Sequence, residues 1–344
     1  MIYFLFFWSA FNPISFNGQL ALQTGIHEGS GQDPYLLARY WPEFAWEGSK
    51  FKHFRLDAYA SFVLRGSVQK EQDSYHTFHD GRLYRGWIRL KNERSEWRLG
   101  DQKINFGSAT LLRPLRWFDQ VDPRDPLGIT TGVKGMLYRH VYPNNTNLRM
   151  WGLFGNTDPK GWETIGSDKE VPEFGGRLQF PTARGEWALS VHRRRLATPE
   201  HPHETQYGFD ARWDVGIGLW TEIALTETNT IEPSYQSKTM LGMDYTFPVG
   251  LTLTLETMQI SESRDLISSK HAREISALSG HYSLSVLDQL AVIVFYDWDS
   301  DQWNRFLSWS RTYDHVQLHT MVFWNDNRVD MSGHSIQFQL AYNH

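Results

Sequence analysis

Apolar and polar residues alternate one by one through most of this chain, and this alternation limits the fold more than any other feature. In the segment 54–65, Phe54 and Leu56 share one face, while Arg55 and Asp57 share the other. Successive side chains of a β-strand point to opposite faces, and helical periodicity is nearly absent from the chain. The alternation recurs in four further segments, 187–192, 207–215, 241–247 and 335–343. The chain is therefore predicted to be all-β.

The connections distinguish a membrane barrel from a soluble sheet, which also has one apolar and one polar face. About 18 strand-like segments run from 19–27 to 334–343. Tight links alternate with longer polar ones, among them 70–80, 106–131 and 156–170. Short turns on one side and long loops on the other are typical of outer-membrane barrels. The prediction is a transmembrane, antiparallel, up-and-down β-barrel of about 18 strands (16–18), located in the outer membrane with both termini in the periplasm.

Composition narrows the class further. Aromatic residues make up 15% of the chain, with 15 Trp and 15 Tyr, and such amphipathic rings favour membrane–water interfaces. Mean hydropathy is −0.49, and after residue 18 no apolar run approaches the roughly 18 residues of a transmembrane helix. The net charge of −5 gives no reason to expect nucleic-acid binding. Because cysteine is absent, disulfides and thiolate metal sites are excluded.

The first 18 residues form an apolar run that ends in small and polar residues, as in a signal peptide. We expect cleavage before Gln19, although the usual Lys or Arg near the start is missing. A buried first strand is the alternative interpretation. The remaining residues, 19–344, show no linker or charge block and are predicted to form one barrel.

The segment 106–131 combines features that a freely solvated loop would not need. It carries apolar residues such as Leu112 and Trp117 among prolines and charges. A segment folded into the mouth of the barrel would pack the apolar residues against the wall and show charge to the pore. The sequence therefore predicts an inward-folded constriction loop. Its predicted pore-facing charges are Arg113, Arg116, Asp119, Asp122 and Arg124.

If the apolar faces point to lipid, the polar faces line the lumen. Basic residues then predominate on one arc and acidic residues on the other, which would orient polar or zwitterionic solutes. The alternative is that these charges pair with each other as a structural wall. Inward-facing rings, such as Trp87 and Trp220, are expected mainly to fill space beneath the loop. The predicted pore-lining residues are Arg85, Arg89, Arg98, Gln102, Arg177, Asp210, Arg212, Asp214 and Glu222.

Part of the chain resembles a known family. The stretch RLGDQKINFGSA, then LRPLRWFDQVDPRDP and GVKGMLYR, is similar to the porin-like and alginate-export-like barrels of Gram-negative outer membranes. Later pieces, such as PEFGGRLQFP, look like uncharacterised barrels of Bacteroidota. The resemblance implies a passive or export channel. Asp101 stands where the family pattern usually has Arg, so no detailed substrate is transferred.

An outer-membrane lipid hydrolase is a rival class, because such enzymes place Ser and His two residues apart on a lipid-facing strand. Ser190 and His192 have this spacing, as do Ser279 and His281. Both pairs are predicted to face the lumen instead. A shift of one residue in register would reverse that facing. We therefore predict no enzyme activity and no cofactor.

Histidines and a basic run near residues 192–203 raise two further questions. His192, His201 and His203 lack a carboxylate pattern that would favour a metal site, so surface histidines are expected and no metal is predicted. The basic run 193–195 is expected to contact lipopolysaccharide phosphates at the outer rim.

The sequence as a whole favours a porin-like channel for passive diffusion or export of small polar solutes, with saccharides among the candidates. Its expected partners are outer-membrane lipid, lipopolysaccharide and those solutes. The alternative is a non-transporting barrel that binds or organises surface polysaccharide. That alternative would have a closed lumen and aromatic residues in outer loops, and the candidates are Tyr75, Phe78, Trp162 and Tyr235. The sequence does not indicate an oligomeric state.

Overall fold

The computed structural model describes residues 13–27, 34–71, 74–229, 233–264, 271–325 and 333–344. In those residues it contains 18 β-strands and no helix. The strands are β1 (Ser15–His27), β2 (Tyr35–Phe51), β3 (Phe54–Glu71), β4 (Ser74–Lys91), β5 (Ser95–Gln102), β6 (Val133–Val141), β7 (Asn147–Leu153), β8 (Glu173–Thr182), β9 (Gly185–Arg195), β10 (His203–Asp214), β11 (Gly218–Thr228), β12 (Tyr235–Thr246), β13 (Leu251–Ser263), β14 (His271–Ser283), β15 (Asp288–Asp297), β16 (Gln302–Thr312), β17 (Val316–Asn325) and β18 (Gly333–Asn343).

The strands form one closed ring. Each pairs antiparallel with its neighbours in sequence, and β1 pairs with both β2 and β18. At the closure, Gln19 is opposite Asn343 on one side and Trp41 on the other. Closure leaves no free sheet edge with unpaired N–H and C=O groups, as a hydrocarbon environment demands. The predicted antiparallel barrel of about 18 strands is confirmed. Among the residues that the structure describes, no helix is long and apolar enough to cross a membrane.

The two faces of the wall differ as the alternation predicted. On β13, Leu255 is 45% exposed on the outside, whereas its neighbour Glu256 is fully buried on the inside. On β18, Phe338 and Leu340 are exposed, while Gln339 between them is buried. The outer surface is thus apolar along strand after strand, and the interior receives the polar rows. This arrangement suits a barrel whose outside meets lipid.

A charge placed on the outer face tests this orientation. We expect Leu255→Arg to destabilise the barrel by roughly 2–4 kcal/mol, because the guanidinium would enter hydrocarbon. Thr252→Arg, on the inner face of the same strand, should cost much less. Urea unfolding of both variants in lipid vesicles measures the difference. Equal costs for the two substitutions would contradict the assigned faces.

Several strand boundaries differ from those predicted. Residues 70–71 and 74–80, predicted to lie in a loop, instead extend the β3–β4 hairpin, in which Gln69 is opposite His76. Tyr75 and Phe78, predicted to lie in an outer loop, are therefore strand residues, both exposed. At the N-terminus, β1 begins at Ser15, so the predicted cleavage position lies inside a strand. Residues 1–12 are outside the described part of the chain.

Candidate functional site

The connection between β5 and β6 begins earlier than predicted, at residue 103 instead of 106. Gln102 ends β5 and is fully buried, and its Nε2 donates to the carbonyl of Gly135 on β6 at 3.0 Å. The next apolar side chain, Ile104, is also buried, in a cluster that the partly buried Phe106 packs against. Both side chains pack into the apolar interior. We refer to residues 103–132 as the β5–β6 connection.

This connection contacts wall strands far from its own. The backbone N–H of Ala109 donates to Glu222 on β11 at 2.8 Å, and that of Leu112 donates to Glu256 on β13 at 2.7 Å. Both strands lie at least five strands from β5 and β6 in either direction around the ring. Both carboxylates are buried on the inner face. We infer that the connection crosses the interior of the barrel.

Apolar packing holds the connection to the wall in several directions. Trp117 and Phe118 pack with Trp151 of β7, and the Phe118 and Trp151 rings meet edge to face at 5.4 Å between centroids. Leu112 joins a cluster with residues of β11 to β14, and Leu127 packs against one formed by β1, β2, β3 and β18. Leu111 also packs against residues of β15 to β17. Apolar wall residues therefore hold this segment in several directions, in addition to the carboxylates of Glu222 and Glu256.

The five charged residues predicted for the constriction all lie in this connection, but most pair with each other. Arg113 binds Asp119 with two hydrogen bonds, of 2.6 and 2.8 Å. Arg124 binds Asp122 with two bonds of 2.9 Å. Arg116 instead stacks on a ring of the next long connection. These bidentate pairs fold the segment onto itself, which is the structural role weighed as the alternative.

Arg85 supports the end of the β5–β6 connection. Arg85 is 7% exposed, and its guanidinium donates to the carbonyl of Thr130 at 2.7 Å. It also stacks on the ring of Tyr84, whose hydroxyl accepts from the Thr130 N–H at 3.3 Å. Arg85 therefore binds the connection and does not face open lumen.

Arg89 and Arg98 lie side by side on the inner face of β4 and β5. Arg89 donates to Asp57 at 2.7 Å, and Arg98 donates to Glu96 at 2.6 Å. Both guanidinium groups lie over the ring of Trp87. Their charges are shared with acids of the same wall, yet both side chains keep about a fifth of their surface exposed.

Arg177 and Asp210 form a deeply buried bidentate pair between β8 and β10. Arg177 also donates to Ser190 at 3.2 Å and lies over the ring of Phe106. The remaining predicted residues divide between two environments. Arg212 and Asp214 are exposed near the β10–β11 turn, while Glu222 is buried against the β5–β6 connection.

The buried pair allows a test of what the wall charges contribute. We expect Arg177→Met to cost about 3–5 kcal/mol, because Asp210 would remain buried and charged without its partner. The double variant Arg177→Met, Asp210→Leu should recover most of that loss. Arg212→Met is the control. It removes an exposed arginine 3.5 Å from Asp244, and should change the unfolding free energy by less than about 1 kcal/mol. An Arg177→Met variant with an unchanged unfolding free energy would contradict the stabilising role of the Arg177–Asp210 pair.

Two lumen arginines were missed by the sequence reasoning. Arg139 on β6 and Arg149 on β7 are directly opposite each other, next to Glu96 and Arg177 in the same cross-strand row. No carboxylate of the described residues forms an ion pair with either one, and Arg139 is exposed. They were missed because Val133 and Leu137 make the inner face of β6 apolar. The outer face of β6 also carries an exposed apolar residue, Met136, so the alternation did not distinguish the two faces of this strand.

A second connection, residues 154–172 between β7 and β8, lies on the first. Trp162 donates from its ring nitrogen to the carbonyl of Arg113 at 2.9 Å, and Arg116 stacks on the same ring. Gln120 donates to the carbonyl of Pro159 at 3.3 Å. Trp162, expected in an outer loop, is instead partly buried between the two connections. We call this segment the β7–β8 connection.

A buried network of charges fixes the β7–β8 connection to the wall. Lys160 Nζ lies 3.2 Å from Glu163 and 3.3 Å from Glu173, and Arg194 lies 3.0 Å from Glu163. Burial raises the pKa of Glu163 to about 7, against the pull of Arg194 and Lys160. Glu163, Glu173 and His192 have ligand atoms within 4.8 Å of one another, a spacing that suits a metal ion. In this structure, Lys160 supplies the positive charge.

His192 is fully buried, so the prediction of a surface histidine was wrong for this residue. It faces the interior, as predicted for the Ser190/His192 pair. Its Nδ1 accepts from the ring nitrogen of Trp151 at 3.1 Å, and its Nε2 lies 3.1 Å from Glu173. Both ring nitrogens are therefore engaged elsewhere, and Ser190 accepts from Arg177. This geometry does not make His192 a base for Ser190.

The basic run 193–195 is divided between two faces. Arg194 is buried inside, paired with Glu163 and Glu204, and is not available to phosphate at the rim. Arg193 is exposed on the outer face, and Arg195 pairs with Asp168 at 2.7 Å. Only Arg193 remains an unpaired candidate among the three for lipopolysaccharide.

Comparison with known proteins identifies the fold. No protein-family model matches the chain, and no curated protein matches it. Several solved structures do match the chain. The outer membrane protein opdK from Pseudomonas aeruginosa superposes with a TM-score of 0.69 at 10% identity, covering 96% of this chain and 99% of that chain. The chain has the fold of an outer-membrane porin. OccD3 (OpdP) of Pseudomonas aeruginosa superposes with a TM-score of 0.66 at 10% identity, covering 97% of this chain and 92% of that chain. The structure of Pseudomonas aeruginosa OpdK with vanillate superposes with a TM-score of 0.68 at 11% identity, covering 97% of this chain and 99% of that chain. The porin fold and the apolar outer face agree with the predicted location in the outer membrane.

Proposed function

We propose that this protein is an outer-membrane channel through which small polar solutes diffuse. The observation that carries the proposal is the exposed charge on the inner face of a barrel whose outer face is apolar. Arg139 on β6 and Glu262 on β13 both point inward and are exposed. Charges exposed inside such a barrel require water there, and a barrel of this size has room for an aqueous passage.

We further propose that the channel favours small anions over neutral saccharides. Arg139 and Arg149 contribute two positive charges without a carboxylate partner among the described residues, beside Arg98 on the next strand. An anion in the passage would gain their attraction, whereas a neutral sugar would not. Vanillate, present in one of the structures of similar fold, is a small anion of suitable chemistry to test.

Planar-bilayer recording tests both parts. The intact protein should conduct, and its reversal potential in a salt gradient should show anion preference. Arg139→Gln with Arg149→Gln should shift the reversal potential toward cations. Arg193→Gln is the control, because it removes an exposed arginine from the outer face. Equal selectivity in all three proteins would contradict the proposed role of the two arginines, and swelling of liposomes by saccharides but not anions would favour sugars.

A non-transporting barrel that binds surface polysaccharide is the second candidate. It is favoured by the way residues of the β5–β6 connection join or pack against all four apolar clusters inside the barrel. Such packing would suit a permanent plug. Intact protein that inserts without current would support this candidate over the channel. We propose no reaction and no cofactor, and lipid and lipopolysaccharide contacts remain a proposal.

A further inference from the structure

Glu256 binds the β5–β6 connection through an unusual set of donors. This carboxylate is fully buried on β13. Its oxygens accept from the backbone N–H groups of Thr110, Leu111 and Leu112 at 2.7, 3.0 and 2.7 Å. The Thr110 hydroxyl donates at 3.1 Å, and the ring nitrogen of Trp220 donates at 3.1 Å. Three successive N–H groups therefore converge on one wall carboxylate.

Glu222 on β11 binds the same stretch on either side. It is 1% exposed, and it accepts from the N–H groups of Ala109 at 2.8 Å and Leu115 at 3.1 Å. Gly107 lies directly against it, with a φ of +98°, and a Cβ there would overlap Glu222 Oε1. Only a residue without a Cβ therefore fits at position 107 while Glu222 keeps this position.

Neither carboxylate forms an ion pair with Lys or Arg in the part of the chain that the structure describes. A buried charge without a counter-ion is costly unless hydrogen-bond donors surround it. An irregular segment inside a barrel has the opposite need, because its N–H groups lack partners. A carboxylate only accepts, so two of them can satisfy five N–H groups at once. Each side of this contact is thus stabilised by the other.

We propose that Glu222 and Glu256 are positioning residues that fix residues 107–115 across the lumen and thereby set the width of the passage. The proposal about width rests on the proposed channel function. The proposed position of the segment does not rest on the channel function, and this position can be measured separately. The two wall strands hold the segment by charge, in addition to the apolar packing.

The test replaces the carboxylates by amides. Glu256→Gln and Glu222→Gln keep the shape but turn an N–H₂ group toward N–H donors, so the segment should leave the wall. Glu262→Gln is the matched control for the labelling readout, because Glu262 lies on the same strand and face, is exposed, and accepts from Gln236 instead of the connection. Retention of heat-modifiable migration on gels shows that each barrel is folded.

Two readouts separate the position of the segment from the function of the channel. Because the chain has no cysteine, Ala109→Cys gives a single thiol at a buried position, to be labelled with a membrane-impermeant maleimide. Its labelling rate should rise on the order of tenfold or more in the Glu256→Gln background, as expected for a lost charged hydrogen bond. Single-channel conductance should rise in the same variant.

Unchanged labelling in both amide variants, equal to that of Glu262→Gln, would overturn the proposal. Faster labelling with no current from any protein would support the positioning role and reject the channel. If the amide variants do not fold, Gly107→Ala tests the same contact by changing the connection instead of the wall. It leaves both carboxylates in place and forces the segment away from Glu222, so labelling should again rise, and an unchanged rate would count against the proposal.

Discussion

Deletion of residues 108–128 is expected to raise single-channel conductance on the order of tenfold, since a barrel of this size without an internal segment encloses a wide aqueous channel. The deleted residues include Leu112 and Trp117, which pack against the inner wall, and the ion pair of Arg113 with Asp119. The closed ring of strands does not depend on them. The variant should therefore still insert and show heat-modifiable migration.

The control for this deletion is a change of similar kind far from the lumen. Removing residues 70–71 and 74–75 shortens the exposed tip of the β3–β4 hairpin and should leave conductance unchanged. An intact barrel with unchanged conductance after deletion of 108–128 would show that the segment does not restrict the passage. A silent intact protein that conducts after the deletion would instead support the closed, polysaccharide-binding candidate.

The sequence predicted the fold well because the alternation is a local property that every strand repeats. The count of 18 strands and the outward facing of residues such as Leu255 and Phe338 follow from that repetition alone. One strand boundary was predicted wrongly because the pattern there is polar on both faces. The tip of the β3–β4 hairpin, around Tyr75, has no apolar row to mark it as a strand. Polarity alone therefore made it look like a loop.

The site was harder to predict, because its chemistry depends on which residues meet across the ring. Glu222 was expected to line the pore, but nothing in its own strand shows that it binds N–H groups from residues 109 and 115. Arg139 was missed because Val133 and Leu137 make the inner face of β6 apolar, while Met136 makes its outer face apolar too. The donors that bind Glu222 lie more than a hundred residues away in the sequence, and the residues around Glu222 carry no pattern that indicates them.

The attachment of the β7–β8 connection is expected to weaken as pH rises from about 4.5 to about 7. Burial raises the pKa of Glu163 from 4.5 to about 7, so the attached state binds a proton more tightly than a released one would. Stability from a raised pKa is fully present below the ordinary value and is lost as pH rises through the shifted one. A shift of this size corresponds to about 3 kcal/mol, or a change in the release equilibrium on the order of three hundredfold. Asp168 acts oppositely: a hydrogen bond from the Glu170 backbone and the ion pair with Arg195 lower its pKa, so its effect falls below this pH range.

Glu163→Gln should remove this pH dependence, because the amide cannot ionise. A thiol introduced by Ile165→Cys, in the same connection, reports release through its maleimide labelling rate. Dividing the rate in the natural background by that in Glu163→Gln cancels the intrinsic ionisation of the thiol and any contribution from His192, which both proteins retain. The ratio should rise between about pH 4.5 and about pH 7 and level off above it. More frequent open events should accompany the rise in bilayer recordings, since Trp162 of this connection donates to the carbonyl of Arg113. A flat ratio would mean that Glu163 ionises in the attached connection without cost, held by Lys160 and Arg194 alone.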